Sequence, residues 1–453
     1  MRPRRVVVVG GGLAGLRAAV ACADAGASVR LFEARPRLGG ATWSIEHGEI
    51  EIDNGQHVFM RCCTAYLEWI DRLGVRDLVE LQPRLAVPVL SPGRATTWIR
   101  RQTLPAPLHL AASLLRFSPL SVGERLRAAR TALAFQTLDP DDPALDEISL
   151  GQWLLQQGET DAAIDTLWDL LIRPTLNLSA RDASLALAAR VLRTGFLNRC
   201  DGADIGWSRV PLSRLHADPA ARALARAGAR VECKTAVRRV LPAEGSKPAR
   251  VRVDGADFEA DAVIVALPPR EAAQVLDGVG GIDGTRAVAL GRSPIVSLHI
   301  LLDRPILELP FAAGIDTPIQ WIFDRTASSG RTHGQYLSVS LSAGNEFEGR
   351  SADSLRAQFE PALHALRPAA REARIEEFFV TCERDATFLQ RPGMRRHRPS
   401  PGRIAPGVFL AGAWTRTGWP VTMESAVRSG VVAAEEALAC FDRLPCSASR
   451  RSS

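Results

Sequence analysis

Three glycines near the start of the chain, Gly10, Gly12 and Gly15, stand in the spacing G-x-G-x-x-G within VVVVGGGLAGLRAA, residues 6–19. Gly10 permits a tight turn, Gly12 lets a pyrophosphate come up against the backbone, and Gly15 with Ala18 lets a helix lie close on a sheet. A turn of this kind can hold a dinucleotide, its phosphates against the N–H groups that open the following helix at Leu13 and Ala14. Glu33 closes the next apolar run, SVRLFEA, at about the 20-residue offset where a carboxylate accepts hydrogen bonds from ribose hydroxyls. The same charge repels a 2'-phosphate, which disfavours NADP and leaves FAD and NAD.

The elements that must position these residues follow from the pattern around them. Val6 to Val9 read as a buried parallel strand, and Leu13 to Ala25 as an alanine-rich helix that Gly26 terminates. Arg2, Arg4 and Arg5 precede an apolar run too short for a signal-peptide core, and no stretch approaches the ~18 apolar residues of a membrane span. The chain has 453 residues, 46% of them apolar, ample for a large core or two intertwined domains. Its net charge of +6 comes from basic residues scattered among acids, so a solvated surface is expected and a nucleic-acid partner is not. The eight cysteines form no C-x-x-C pair, and Cys62 and Cys63 are adjacent. They read as reduced thiols of a cytoplasmic protein, and no metal site is expected.

A second glycine pair, Gly39 and Gly40, lies in EARPRLGGATWS, where a loop can fold over a pyrophosphate from the opposite side. Such a loop resembles that of the FAD-binding flavoproteins of the amine oxidase and phytoene desaturase superfamily. The resemblance implies FAD, with Ala34, Arg37, Gly39, Gly40, Ala41 and Thr42 along it. Ala41 stands where many members carry an arginine, so that contact is missing or comes from Arg35 or Arg37. The fold implied is α/β, a Rossmann-like FAD-binding domain to which the chain returns twice, interleaved with a mixed α+β substrate domain. The first return, residues 210–270, carries ARVECKTAVRRVL and ARVRVDGADFEADAVIVALPP, short alternating strands around Gly245 and Gly255. Val237 falls there at the position of an adenine contact. The second return, 407–438, runs a strand, Val408 to Ala411, into Gly412 and starts a helix near Met423. This arrangement resembles the C-terminal FAD motif of that superfamily, and the resemblance implies Gly412, Ala413, Val421, Thr422 and Met423 along the flavin, whose carbonyl edge the helix N-terminus would face. Many relatives have an acid where Ala413 stands, which leaves any contact there to the backbone. The boundaries that follow are 1–84, 206–289 and 386–440 for FAD, 85–205 and 290–385 for substrate, and 441–453 as a disordered tail.

EIDNGQHVFMRCCTAYLEWIDRLGV, with RPTLNLSARDASLALAARVL, GRSPIVSLHILLD and GWPVTMESAVRSG, resembles the hydroxysqualene dehydroxylases, squalene-associated FAD-dependent enzymes, from Val6 to about Leu438. This resemblance implies reduction of hydroxysqualene to squalene with loss of water, in a bacterial route to hopanoids or related triterpenes. Gly55, Gln56 and His57 would lie near the flavin. His57 would protonate the leaving hydroxyl, or else hydrogen-bond to backbone. Trp321, Trp414 and Trp419 would line an apolar cavity and stabilise positive charge, or else pack in the core. Glu424 would cap the helix that faces the flavin. A hydrophobic isoprenoid substrate also implies peripheral contact with the inner face of the membrane. In residues 103–135, Val122, Leu126, Ala129 and Leu133 share one helical face that would lie on lipid or turn to the core. The electron donor is open, between an external reductase and NADPH. The rival enzymes are a carotenoid or squalene desaturase and an amine oxidase; the latter is disfavoured because Lys234 and Lys247, the only lysines, lie in or beside the first return. A non-catalytic lipid carrier of the same fold would lack the intact glycine turn.

Overall fold

The computed structural model describes residues 4–442. Its first layer is a six-stranded sheet in the order Arg230–Glu232, Ser28–Phe32, Arg5–Val9, Ala262–Val265, Val408–Leu410, Gly402–Ala405. All neighbours are parallel except the last pair. The valine run is central, with Val6 to Val9 in register with Ala262 to Val265 and buried on both faces, which is why it lacks polar alternation. One face is covered by the helices Leu13–Asp24, Thr64–Leu73 and Met423–Asp442, the other by the antiparallel strands Val237–Leu241, Ala249–Val253 and Ala256–Ala260. The carboxyl ends of the strands converge at Gly10, Glu33, Ala266 and Ala411, joined by the bonds Gly10 N–H to Phe32 O, Ala266 N–H to Val9 O and Ala411 N–H to Val265 O. Ligands of open parallel sheets bind at this edge.

The second sheet has seven strands, in the order Ile375–Thr387, Ser293–Leu302, Gln335–Leu341, Trp321–Asp324, Phe311–Gly314, Ala86–Leu90, Thr97–Arg100. Its outer face packs on the helix Ala352–Leu366. A block of short helices between Ala111 and Leu197 packs around Trp153, Trp168 and Phe135 and closes one end.

One local outcome differs from expectation and another decides between two alternatives. Phe441, expected in the tail, is a buried residue of the last helix, because it packs on the cluster holding Trp69; the tail from 443 on lies outside the described residues. The helix Val122–Ala134 forms with a Ser121/Glu124 capping box, and it buries Ala128 and Thr131. Val122, Leu126 and Leu133 point outward, 66%, 58% and 52% exposed, so this face does not turn to the core.

Candidate functional site

The two glycine loops are built against each other. A Cβ on Gly15 would lie 1.9 Å from the Gly10 carbonyl oxygen, and one on Gly40, whose φ is +58°, would lie 2.8 Å from the Gly12 Cα. The Gly39 N–H donates to the Gly11 carbonyl at 2.9 Å, so the second loop lies along the first. Both lie at the N-terminus of the helix Leu13–Asp24, which begins at Gly12 with no side-chain cap. Its N–H groups are therefore left for an anionic ligand. Glu33, 9% exposed, accepts the Gly11 N–H at 2.7 Å and the Arg35 N–H at 2.8 Å, which fixes the carboxylate at the strand end beside the turn. Ala34 is exposed at the same corner. The loop beginning at Cys233 crosses it, with Thr235 N–H on the Glu33 carbonyl, and leads to Val237, which packs in the cluster that holds Phe32. Arg37 stacks on Trp43, 3.6 Å from the ring centre, and reaches the Gly40 carbonyl, so its guanidinium stays with the loop.

A cavity of about 370 Å³ opens beyond this cradle, between the two sheets. It brings together Leu13, Gly39, Ala41 and Thr42 from the first segment, Gly55, Gln56 and His57 from the Asp53 loop, and Ala413, Trp419, Val421, Thr422 and Met423 from the last. Gly412 sits behind them, its N–H on the Ser429 hydroxyl at 2.8 Å. Trp321, stacked on Phe323 with centroids 6.2 Å apart, forms part of the far wall. Trp414 does not line the cavity: its indole N–H donates to the Leu267 carbonyl at 3.0 Å and the ring is buried in the core beneath the parallel sheet. Of the three tryptophans expected at the substrate, two are there.

The polar groups of the cavity divide by what holds them. Asn54 donates to the Ala41 carbonyl at 2.9 Å and receives the Trp43 N–H, which ties the second glycine loop to the Asp53 loop. Asp53 and Arg325 form a buried ion pair of 2.8 Å behind it. Gln56 Nε2 is buried with no partner among the described residues, an orphan donor in the cavity wall. His57 donates Nδ1–H to the Gly55 carbonyl at 3.0 Å, and burial, opposed by that carbonyl and by Asp53 and Glu383, holds its pKa below the ordinary histidine value. The neutral ring thus offers Nε2 as an acceptor, which is the wrong polarity for the proton donor expected of His57. Glu424, 1% exposed, accepts the N–H groups of Ala65 and Tyr66 and pairs with Arg428 at 2.6 Å. It therefore caps the helix Thr64–Leu73 and not, as expected, its own.

Glu383 is the acid that the sequence did not single out. It lines the cavity from the strand Ile375–Thr387, accepts one bond from Asn54 at 3.2 Å and forms no cationic pair among the described residues. Nothing in CERD, residues 382–385, marks it, because its position depends on a strand register. Tyr66 and His216, whose hydroxyl and Nε2 lie 2.8 Å apart, were missed for a similar reason, though only Tyr66 is in the wall. Burial depresses His216 to about 3.

The cradle fits FAD: two loops that a Cβ would fill, a bare helix N-terminus, a carboxylate at the ribose position, and an orphan amide donor where a ring system would lie. Neither lysine lines the cavity.

The model of the family described as flavin containing amine oxidoreductase matches residues 13–438. Among curated proteins the chain is similar to the hydroxysqualene dehydroxylase of Sinorhizobium fredii, 27% identical with 96% of this chain and 99% of that one covered. It is also similar to the hydroxysqualene dehydroxylase of Rhodopseudomonas palustris, 28% identical with 96% and 99% covered. Among solved structures, cyclohexylamine oxidase from Brevibacterium oxydans superposes with a TM-score of 0.69 at 19% identity, covering 97% of this chain and 100% of that one, a likeness of fold.

Proposed function

The chain belongs to the flavin-containing amine oxidoreductase family, an FAD-dependent oxidoreductase, and on that premise we propose that it reduces hydroxysqualene to squalene. The observation that carries this reading is the end-to-end similarity to two hydroxysqualene dehydroxylases. An apolar cavity with a carboxyl that pairs with no cation among the described residues supports it.

In its reduced form the flavin supplies the hydride that takes the place of the carbon–oxygen bond. The chain's own residues do the rest. Protonated, Glu383 donates its proton to the leaving hydroxyl, which departs as water; Asn54 holds one carboxyl oxygen and leaves the other to face the substrate. His57 Nε2 accepts a hydrogen bond and orients the hydroxyl before it leaves. Trp321, Phe323, Phe59 and Tyr66 present ring faces and edges to the cavity, where they stabilise an allylic cation and exclude water.

Membrane contact belongs to the same reading. Leu104, Leu108, Leu115, Val122, Leu126 and Leu133 are each at least 47% exposed, and the stretch that carries them holds Arg116, Arg125, Arg127 and Arg130 against one acid, Glu124. An outward apolar face with arginines beside it matches an anionic bilayer surface. The helix Ala111–Leu115 is tied through Ser113 to Arg100, whose strand supplies Ile99 to the cavity wall, so lipid has a short route inward. Location at the inner face of the cell membrane follows as part of the proposal.

The test is anaerobic. Holoenzyme with photoreduced flavin is mixed with detergent-dispersed hydroxysqualene, and flavin absorbance and extracted lipid are followed together. Reoxidation matched by squalene is the expected result. Unchanged lipid over a flavin that stays reduced overturns the substrate, and turnover of carotenoid precursors by the oxidised enzyme then identifies a desaturase. For the membrane, Leu126→Glu with Leu108→Glu should release the protein from anionic liposomes; equal retention of variant and parent refutes that contact.

A further inference from the structure

A second cavity, of about 480 Å³, lies on the opposite side of the loop Thr415–Trp419 and shares only Trp419 with the first. Its charged walls are Arg190, Arg395, Arg398 and Arg416 against Asp141 and Asp146. Arg416 is exposed, Arg190 and Arg395 are half-buried and Arg398 is buried. Arg190 pairs with Asp141 at 2.6 Å, yet its Nε is buried with no partner among the described residues. The guanidinium groups of Arg395, Arg398 and Arg416 form no carboxylate pair among the described residues. Arg398, 5% exposed, spends its donors on the carbonyls of Trp414, Thr415 and Trp419. Asp146 is already occupied by the Ser184 hydroxyl and the Arg395 N–H. Burial, opposed by the Asp146 carboxylate and reinforced by the neighbouring Arg416 and Arg395 charges, depresses Arg398 to about 10.

We infer that this cavity is a binding site for a phosphate group, free or as a monoester, held by Arg190, Arg395 and Arg416 at the outer side of the Thr415–Trp419 loop. The charged lining is in excess by two positive charges, which a phosphate dianion neutralises. The cavity is larger than one phosphate, and Ala186, Leu187 and Met394 in its lining give the organic part of an ester an apolar surface. Occupancy bears on the flavin cavity through one residue. Arg398 anchors the Trp419 carbonyl and Trp419 is the residue common to both cavity linings, so an anion that draws the arginine cluster together repositions a residue of the candidate site. A phosphorylated effector binding outside the redox site is thus the chemistry the structure accommodates, independent of which lipid the enzyme reduces.

Isothermal titration calorimetry on the FAD-loaded full chain tests this, with inorganic phosphate in one arm, adenosine monophosphate in a second and sodium chloride at matched ionic strength as the blank. Saturable binding of one anion per chain is expected in at least one phosphate arm, weakened at least tenfold by Arg416→Gln and by Arg190→Gln. Arg252→Gln, on a remote strand, should bind as the parent does. Phosphate saturating as tightly as the nucleotide identifies the free ion as sufficient, and saturation by the nucleotide alone identifies an ester as the ligand. The visible flavin spectrum, recorded in the same titration, should shift with the same midpoint and lose the shift in Arg416→Gln. Heats equal to the chloride blank in both arms, or undiminished binding in Arg416→Gln and Arg190→Gln, overturn the site.

Discussion

Replacing Arg325 by methionine should cost the protein several kcal/mol and loosen the flavin, although Arg325 is outside the cavity wall. The guanidinium and the Asp53 carboxylate are 9% and 4% exposed and 2.8 Å apart. At an effective dielectric of about 20 their attraction is roughly 6 kcal/mol, part of which offsets desolvation. Without Arg325, Asp53 keeps two neutral donors, the Ser44 hydroxyl at 2.7 Å and the Leu212 N–H at 2.8 Å. An unpaired buried carboxylate with those bonds should destabilise the fold by about 3–5 kcal/mol. The reciprocal variant, Asp53→Asn, strands the guanidinium on the Ser208 carbonyl and should cost a comparable amount. Because neither charge remains in the double variant, it should lose at least about 2 kcal/mol less than the sum of the singles. The assay is urea unfolding of flavin-loaded protein, followed by circular dichroism and by flavin release. The two midpoints should fall together in Arg325→Met, since the pair anchors the loop that carries Asn54, Gln56 and His57. A loss below about 1 kcal/mol, or strict additivity in the double variant, refutes the argument that this pair holds the loop.

Three further outcomes are expected. Gly15→Ala places a methyl 1.9 Å from the Gly10 carbonyl, backbone against backbone, so the turn must open and the protein should purify without its yellow colour; full flavin content would contradict the cradle. Glu383→Gln should retain flavin yet lower single-turnover reduction of the allylic alcohol by about 10²–10⁴-fold, the usual scale for a lost general acid, whereas His57→Gln should act mainly on substrate affinity; equal rates in Glu383→Gln and parent exclude Glu383 as the donor. His216 and His299 are each depressed by burial to about 3 and stay neutral in the folded protein, while in the unfolded chain they take up protons near 6.5. The unfolded state then binds more protons as pH falls, so stability is lost below about pH 6.5, each histidine steepening the slope by up to about 1.4 kcal/mol per pH unit. His216→Gln should flatten the urea midpoint against pH between about 7 and 5; an unchanged slope would show that His216 is charged in the fold.

What could be read before the structure was what local geometry dictates. Gly10 and Gly15 touch each other through five residues of chain, and Gly12 meets Gly40 because both loops leave neighbouring strands, so spacing alone announces the cradle. The positions that escaped reading depend on which side of an element faces inward. The indoles of Trp414 and Trp419 lie on the same loop, five residues apart; one turns beneath the sheet to the Leu267 carbonyl and the other stands in the wall between two cavities. The spacing of Val122, Leu126 and Leu133 defines a helical stripe, but the burial of Ala128 and Thr131 decides that the stripe points away from the core.

Glu383 and Glu424 make the same point for charge. An acid in the first turn of a helix is stabilised by the N–H groups there, and Glu424 does occupy the first turn of Met423–Asp442. Its oxygens nevertheless turn to the N–H groups of Ala65 and Tyr66, because the two helix starts are brought together by packing in one core and the second set of donors is otherwise without a cap. Both Glu424 oxygens are thus taken up, by the two N–H groups and by Arg428. Glu383, opposite Ile295 in the register of the strand pair, has only the Asn54 amide among the described residues. Two glutamates thus border one cavity, one with both oxygens bound and one held by a single amide, and the difference arises from partners more than 300 residues away along the chain.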